Sequence, residues 1–303
     1  MSLYHKYRPE TLGKVRGNKK IIPVLEKMLQ DKTTAPHSFL FHGPTGCGKT
    51  TIGRIVAQEL GCSKEDFIEL DSADFRGIDT VREIRKQSQY APLNGSIRVW
   101  MLDEIHKSTN DAQNALLKIL EDPPAHVYFI LCTTDPQKLL PTIKGRCSQF
   151  QVELLSEIDM LRLLKTVVRG EEETLEEEIY QQITQDSLGH PRNALQILEQ
   201  VLSSEPEKRL QIAQQAALEQ SQSIELCRAL IGGSGWNKVA SILQGVKDQD
   251  PEGIRRQVMG YAQAVLLKSD NPTAGLVLEC FLEPFYNTGF PGLTFACYQV
   301  VKN

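Results

Sequence analysis

Four short apolar runs punctuate the first half of the chain: SFLFH (38–42), FIEL (67–70), RVWML (98–102) and VYFILC (127–132). Unbroken apolar runs of this length are what strands buried on both faces require. Between them, TTIGRIVAQEL (50–60) and DAQNALLKILE (111–121) space their apolar residues at the helical period. The alternation predicts βαβ units and an α/β fold with a doubly wound parallel sheet. From Glu153 onward the strand signal stops, and helical stretches follow at 155–169, 175–186 and 191–203. SSEPE (203–207) reads as a linker, and 208–303 is again helical, broken at GGSG (232–235), DQDPE (248–252) and SDNP (269–272). The pattern therefore divides the chain into an α/β domain over 1–152, a small helical domain over 153–204 and an all-helical domain over 205–303. No internal repeat is visible, and EEETLEEE (171–178) reads as a solvated turn and helix start.

Composition narrows the class. With 41% hydrophobic and 24% charged residues over 303 positions, the chain is expected to be globular and to hold two or three domains. MSLYHKYRPE at the start has no apolar core of a signal peptide, and no segment approaches ~18 uninterrupted apolar residues, so a cytoplasmic protein is expected. Seven cysteines without a C-x-x-C pair fit reduced, packed thiols better than a disulfide framework or a zinc site. The net charge of −4 hides an asymmetry: residues 1–150 hold 21 Lys and Arg against 17 Asp and Glu, whereas 151–303 hold 13 against 21. A polyanionic partner would meet the N-terminal half.

GPTGCGKT, Gly43 to Thr50, is a complete G-x-x-x-x-G-K-[ST] between a predicted strand and a predicted helix. Such a loop turns backbone N–H groups onto phosphate oxygens at a helix N-terminus. Gly43, Pro44, Thr45, Gly46, Cys47, Gly48, Lys49, Thr50 and Thr51 are accordingly assigned to nucleotide binding. Lys49 would reach the β- and γ-phosphates, and the Thr50 hydroxyl would bind Mg²⁺. A second motif, VWMLDEIH (99–106), ends a strand on two carboxylates. Asp103 would complete the Mg²⁺ site, and Glu104 would orient or deprotonate the attacking water. Alone, the acidic pair could be an ordinary polar strand end; beside a phosphate loop it reads as catalytic. His106 reads as a packing or surface residue.

With these residues in place, the chain resembles the AAA+ clamp-loader ATPases, the small subunits of replication factor C and the bacterial tau/gamma subunit. The resemblance is carried in order over 1–200 by YHKYRPETLGKVRGN, RGIDTVR (76–82), the two motifs above, LCTTDPQK (131–138), GRC (145–147) and GHPRNAL (189–195). It implies an AAA+ domain, a helical lid and a C-terminal collar. It also implies that Tyr7, Arg8, Pro9 and Val15 line an adenine pocket. Thr133, or its neighbour Thr134, would sense the γ-phosphate, and Arg192 would reach the nucleotide from the lid.

The resemblance further gives a role to Arg146, which is otherwise an ordinary loop residue. In the family the arginine of an S-R-C box points at ATP held by the next subunit, so Arg146 would act in trans as a catalytic residue beside Lys49 and Glu104. Gly145 stands here where the box has Ser. The zinc-binding insertion of the bacterial subunit is also missing, since Gly61-Cys62-Ser63-Lys64-Glu65-Asp66 leads straight to the next strand; no zinc is expected.

TVREIRKQ (80–87) places Val81 and Ile84 on one helix face with Arg82, Arg85 and Lys86 beside one another. These three, with Lys107 in KSTND (107–111), are candidates for DNA-backbone contacts; a solvated helix face is the other reading. The resulting expectation is an ATPase subunit of a sliding-clamp loader that uses ATP and Mg²⁺. Its partners would be other loader subunits in a ring of five, the sliding clamp and primer-template DNA, without a membrane. The alternatives are another DNA-acting AAA+ ATPase, such as a helicase loader or recombination motor, and a structural subunit that binds ATP without hydrolysing it.

Overall fold

The computed structural model describes residues 2–31, 34–71, 77–247, 249–267, 270–286 and 288–302, apart from the side chains of 214–224 and 264. Arg76 of the RGIDTVR segment, and Asp248 and Ser269 at two expected helix breaks, lie outside the described residues. The chain divides into two compact units, Met1–Ser203 and Ser204–Asn303.

The first unit opens with α1 (Leu3–Lys6) and α2 (Ile22–Gln30), then alternates β1 (Ser38–His42), α3 (Lys49–Leu60), β2 (Phe67–Leu70), α4 (Ile78–Gln87), β3 (Arg98–Leu102), α5 (Asn110–Glu121), β4 (Val127–Thr133), α6 (Pro141–Lys144) and β5 (Ser148–Gln151). The five strands pair in the order β2-β3-β4-β1-β5, all parallel. The four apolar runs of the sequence are the first four strands. The fifth, SQFQ, carries one buried apolar residue, Phe150, and forms an edge, where half of each strand faces solvent and the apolar signal fades.

Successive side chains of a strand point to opposite faces, so each central strand feeds two cores. Phe39, Phe41, Met101 and Ile130 join Leu25 of α2 and Ile52 of α3 on one side. Leu40, Trp100, Leu102, Phe129 and Leu131 join Val81 and Ile84 of α4 and Leu116 of α5 on the other. Gly53 lets α3 approach β4, because a Cβ there would lie 2.9 Å from Ile130 Cγ2. With Phe39 fully buried, truncation to Ala is expected to cost about 3–5 kcal/mol.

Three helices complete the unit: α7 (Glu157–Gly170), α8 (Glu177–Asp186) and α9 (Pro191–Leu202). Ser156 caps α7 by accepting the Asp159 N–H, and Pro191 opens α9 at a position where its missing donor costs nothing. The second unit contains α10 (Arg209–Ile231), α11 (Trp236–Gly245), α12 (Pro251–Leu266), α13 (Pro272–Cys280) and α14 (Gly289–Lys302). They close on a core that includes Leu230, Leu243, Val258, Val277, Phe281, Leu293 and Cys297. The break between α13 and α14, around Pro284 and Gly289, is one that the sequence reading passed over.

Candidate functional site

The carboxyl ends of β1, β3 and β4 are neighbours in the sheet, and parallel register sets His42 beside Thr133 and Leu102 beside Leu131. Whatever follows these strands therefore gathers along one edge, where open α/β sheets bind ligands. Three segments meet there: the glycine-rich loop after β1, Asp103 and Glu104 after β3, and Thr133 and Thr134 at the end of β4.

The loop needs its glycines. Gly43, Gly46 and Gly48 have φ of 154°, 72° and 106°, a region that side chains rarely adopt. Gly43 is also wedged: its N–H donates to Thr133 O at 3.2 Å, and a Cβ would lie 2.1 Å from Val152 O. Lys49 is buried, with 5% of its surface exposed, and its Nζ donates to Gly43 O at 3.0 Å and Pro44 O at 2.9 Å. The ammonium is thus folded over its own loop. Burial and the neighbouring Lys49 act on the Cys47 thiol in opposite directions, and burial prevails, so its pKa is raised.

Beside the loop, Thr50 Oγ1 donates to Asp103 Oδ2 at 2.8 Å. A hydroxyl and a carboxylate, brought together from the helix after β1 and the end of β3, fit the sparse protein contribution that Mg²⁺ requires when phosphates and water fill its remaining positions. Among the described residues no group of three or more His, Cys, Asp or Glu could hold a metal ion. All seven cysteines are free.

Glu104 stands at φ 53°, in the left-handed region although it is not glycine. Such a conformation costs on the order of 1–3 kcal/mol and survives only where the surroundings enforce it. Here Asp103 Oδ1 accepts the Glu104 N–H at 2.9 Å, and the following single turn, Ile105–Lys107, is anchored by buried Ile105. The Glu104 carboxylate accepts the Thr134 hydroxyl at 3.3 Å, and Lys107 Nζ lies 3.8 Å from the same oxygen. Thr133 points inward instead, fully buried, accepting the Asp135 N–H at 3.0 Å and bonded to His106 Nδ1 at 3.1 Å. The two candidate sensors are thereby separated: Thr134 touches the acid, Thr133 touches His106. The sequence reading set His106 aside, and only its place three residues after Asp103 could have drawn attention to it.

The N-terminal segment and α9 close in on the loop. His190 Nδ1 donates to Thr45 O at 2.8 Å, and a Cβ on Gly46 would lie 3.6 Å from Arg192 Cβ. The Arg192 guanidinium lies over the Tyr4 ring, 4.8 Å from its centroid, and donates to its hydroxyl at 3.0 Å. Arg8 stacks on the same ring at 4.9 Å, while its Nε, buried, has no hydrogen-bond partner among the described residues. Tyr7 packs against the end of α7, where Gly170 leaves room: a Cβ would lie 2.4 Å from the Tyr7 hydroxyl. Burial and a hydrogen bond to Glu171 push the Tyr7 phenol up to about 12. Pro9 is half-buried, and Val15 packs against the core beneath α3.

Arg146 is in the turn between α6 and β5, outside this cluster of contacts. Its guanidinium donates to Thr142 O at 3.1 Å and to Glu121 Oε1 at 3.0 Å. Arg82, Arg85 and Lys86 are exposed on α4, opposite buried Val81 and Ile84, and Arg82 pairs with Asp79 at 2.9 Å. Lys107, the fourth DNA candidate, faces Glu104.

Residues 63–156 match the family described as DNA polymerase III, delta subunit. Over 226 residues, 67% of this chain and 39% of the relative, the sequence is 36% identical to DNA polymerase III subunit gamma/tau of Mycobacterium bovis. Over 297 residues, 90% of this chain and 46% of the relative, it is 29% identical to DNA polymerase III subunit tau of Escherichia coli. The chain thus spans roughly two fifths of the length of these relatives, 39% and 46%. The Thermotoga maritima RuvB Holliday junction branch migration motor superposes with a TM-score of 0.62 at 19% identity, covering 78% of this chain and 85% of that one. A likeness at that identity shows a shared fold alone.

Proposed function

We propose, from its homology to the gamma and tau subunits of DNA polymerase III, that the chain is an ATPase subunit of a sliding-clamp loader. The observation that carries the proposal is the contact of Thr50 with Asp103 beside a phosphate loop already in shape to receive an anion. Gly43, Gly46 and Gly48 give the loop its positive-φ turns, and Lys49, held by two loop carbonyls, needs only to exchange them for phosphate oxygens.

In this reading Lys49 and the loop N–H groups orient the triphosphate, and Thr50 and Asp103 hold Mg²⁺. When bound, the metal neutralises charge on the β- and γ-phosphate oxygens. Glu104 aligns a water and takes its proton as the water oxygen bonds to the γ-phosphorus and the bond to the β-phosphate oxygen breaks. Thr134 steadies the same carboxylate. Tyr7, Arg8, Pro9 and Val15 face the base, and Arg192 leaves Tyr4 to meet the phosphates. Arg146 serves a neighbouring subunit: its bonds are to Thr142 O and Glu121 and not to the glycine-rich loop of its own chain, and a trans guanidinium makes hydrolysis depend on assembly. The three-part organisation at 152 and 204, a ring of five chains, the clamp and primer-template DNA as partners, and a place in the cytoplasm at the replication fork belong to the same reading. Among the described residues no helix is long and apolar enough to cross a membrane.

The test is ATP hydrolysis measured with and without primed DNA and the clamp, alongside nucleotide binding by Glu104→Gln. Binding retained with turnover lowered by ~10²–10⁴-fold is expected of a displaced general base. Hydrolysis at the parental rate in Glu104→Gln would reject the role given to this residue.

A further inference from the structure

The reversal of the chain at Glu104 brings His106 back toward the end of β4, where its two ring nitrogens face different partners. Nδ1 lies 3.1 Å from Thr133 Oγ1, and Nε2 lies 3.6 Å from Glu104 Oε2. The side chain is only 9% exposed. Thr133 Oγ1 accepts the Asp135 N–H and keeps its own proton available for Nδ1. When Thr133 gives that proton to Nδ1, the ring is the Nε2–H tautomer, with its N–H on the side of the carboxylate. Burial, the leading effect, lowers the ring's pKa, Glu104 and Asp135 act to raise it, and Lys107 and Lys138 act with burial. A neutral donor is the form this pocket favours.

We propose that His106 is the positioning residue of Glu104. From 3.6 Å, a distance that acts electrostatically and shortens to a hydrogen bond with a small shift of the carboxylate, Nε2–H draws one carboxylate oxygen, with its tautomer set by Thr133, so that the other oxygen is presented to the attacking water. The inference rests on the reading of Glu104 as the water-directing carboxylate. It assigns distinct tasks to the adjacent threonines: Thr134 contacts the acid directly, while Thr133 acts on it through the imidazole. A displacement at the end of β4 would thereby reach the acid by two routes. An imidazole that only filled space would not need one nitrogen bonded to a strand-end hydroxyl and the other facing a strained residue's carboxylate.

The experiment compares substitutions in the full chain, assayed for ATP hydrolysis with primed DNA and for ATP binding. His106→Ala should lower kcat by ~10- to 100-fold, the usual cost of removing an outer partner of a reacting group, with ATP affinity within about twofold of the parent. His106→Gln, whose amide nitrogen can occupy the Nε2 position, should recover most of the activity. His106→Asn, which reaches only the Nδ1 position, should keep the Thr133 contact and remain slow. Equal rates for Gln and Asn, or an unaffected Ala variant of a hydrolysing parent, overturn the inference. A parent that hydrolyses ATP under no condition overturns instead the reading on which it rests. Nitrogen-15 spectra of histidine-labelled chain without nucleotide give an answer independent of turnover. The Nε2–H form is expected for His106, Thr133→Val should weaken that preference, and Glu104→Gln should shift the Nε2 resonance. A Nδ1–H ring overturns the proposal whatever the rates.

Discussion

The glycine-rich loop after β1 and the turn before β5 each carry a cation of the proposed mechanism, Lys49 and Arg146, and they are held in opposite ways. Lys49 is buried and bonded to two carbonyls of its own loop, next to a Thr50–Asp103 contact that joins the start of α3 to the end of β3. Arg146 is bonded to Thr142 O and to Glu121, whose side chain is 64% exposed. The first cation sits in geometry that one chain completes alone. The second is held by a surface ion pair of the kind that contributes only ~0–1 kcal/mol, so a phosphate can displace it at little cost. In the proposed reading, chemistry that one chain owns would be built into its interior, and chemistry lent to another chain would be left at the surface on a weak tether.

The largest effect should come from Lys49→Ala. Removing a charge-assisted interaction of ~3 kcal/mol corresponds to about 10²-fold in nucleotide affinity, and turnover should vanish in isolated and assembled chains alike. If equilibrium binding of a labelled nucleotide survived unchanged, the supposedly self-contained half of the contrast would fail.

Arg146→Ala should behave differently in the two states. ATP affinity of the isolated chain should be nearly that of the parent, whereas hydrolysis in the assembled ring should fall by ~10³-fold or more. Mixing with chains that keep Arg146 but carry Lys49→Ala should restore turnover at the Arg146→Ala nucleotide sites. Mixed rings that stay inactive at every ratio would return Arg146 to its own site or to none.

The exposed face of α4 extends the comparison to a polymer partner. Replacing Arg82, Arg85 and Lys86 together with Gln should weaken primed-DNA binding without changing basal ATPase. The slope of log affinity against log salt should shrink by about one unit for each duplex phosphate that these cations neutralise in the parent. Titrations at several salt concentrations that give superimposed lines would make this face a solvated surface. The smallest effect is expected of Glu121→Gln: thermal stability should change by less than ~1 kcal/mol, and ring hydrolysis should hold or rise slightly as the tether on Arg146 is released. A marked fall in hydrolysis would mean that Glu121 positions Arg146 instead of merely parking it.

The central sheet was legible because β1, β3 and β4 are buried on both faces and are apolar over most of their length, and the shape of the loop after β1 was legible because its backbone demands glycine at fixed places. β5 was not, since an edge strand with one inward Phe150 carries almost no apolar signal. The motifs around Glu104 named the acid but not its geometry. Its left-handed backbone, and the pairing of adjacent threonines with different partners, arise from where β4 ends relative to β3, a tertiary fact that no local pattern encodes. The cradle of Tyr4 between Arg8 and Arg192 was invisible for the same reason: residues 4 and 192 meet only after the helices of 157–202 have folded back.

Gly43 imposes a particular grammar on sequence drift. At Gly13 nothing lies within 4 Å of where a Cβ would stand, so replacements there can be graded by size, and small ones come first. At Gly43 the first carbon already lies 2.1 Å from Val152 O, and Val152 N–H is itself bonded to His42 O at 2.8 Å. Alanine is therefore nearly as forbidden as tryptophan. Tolerance at this position is a step, and the step can be lowered only by a compensating change in the strand end that carries Val152. Descendants of this chain should thus vary at 43 and in the backbone around 152 together or not at all.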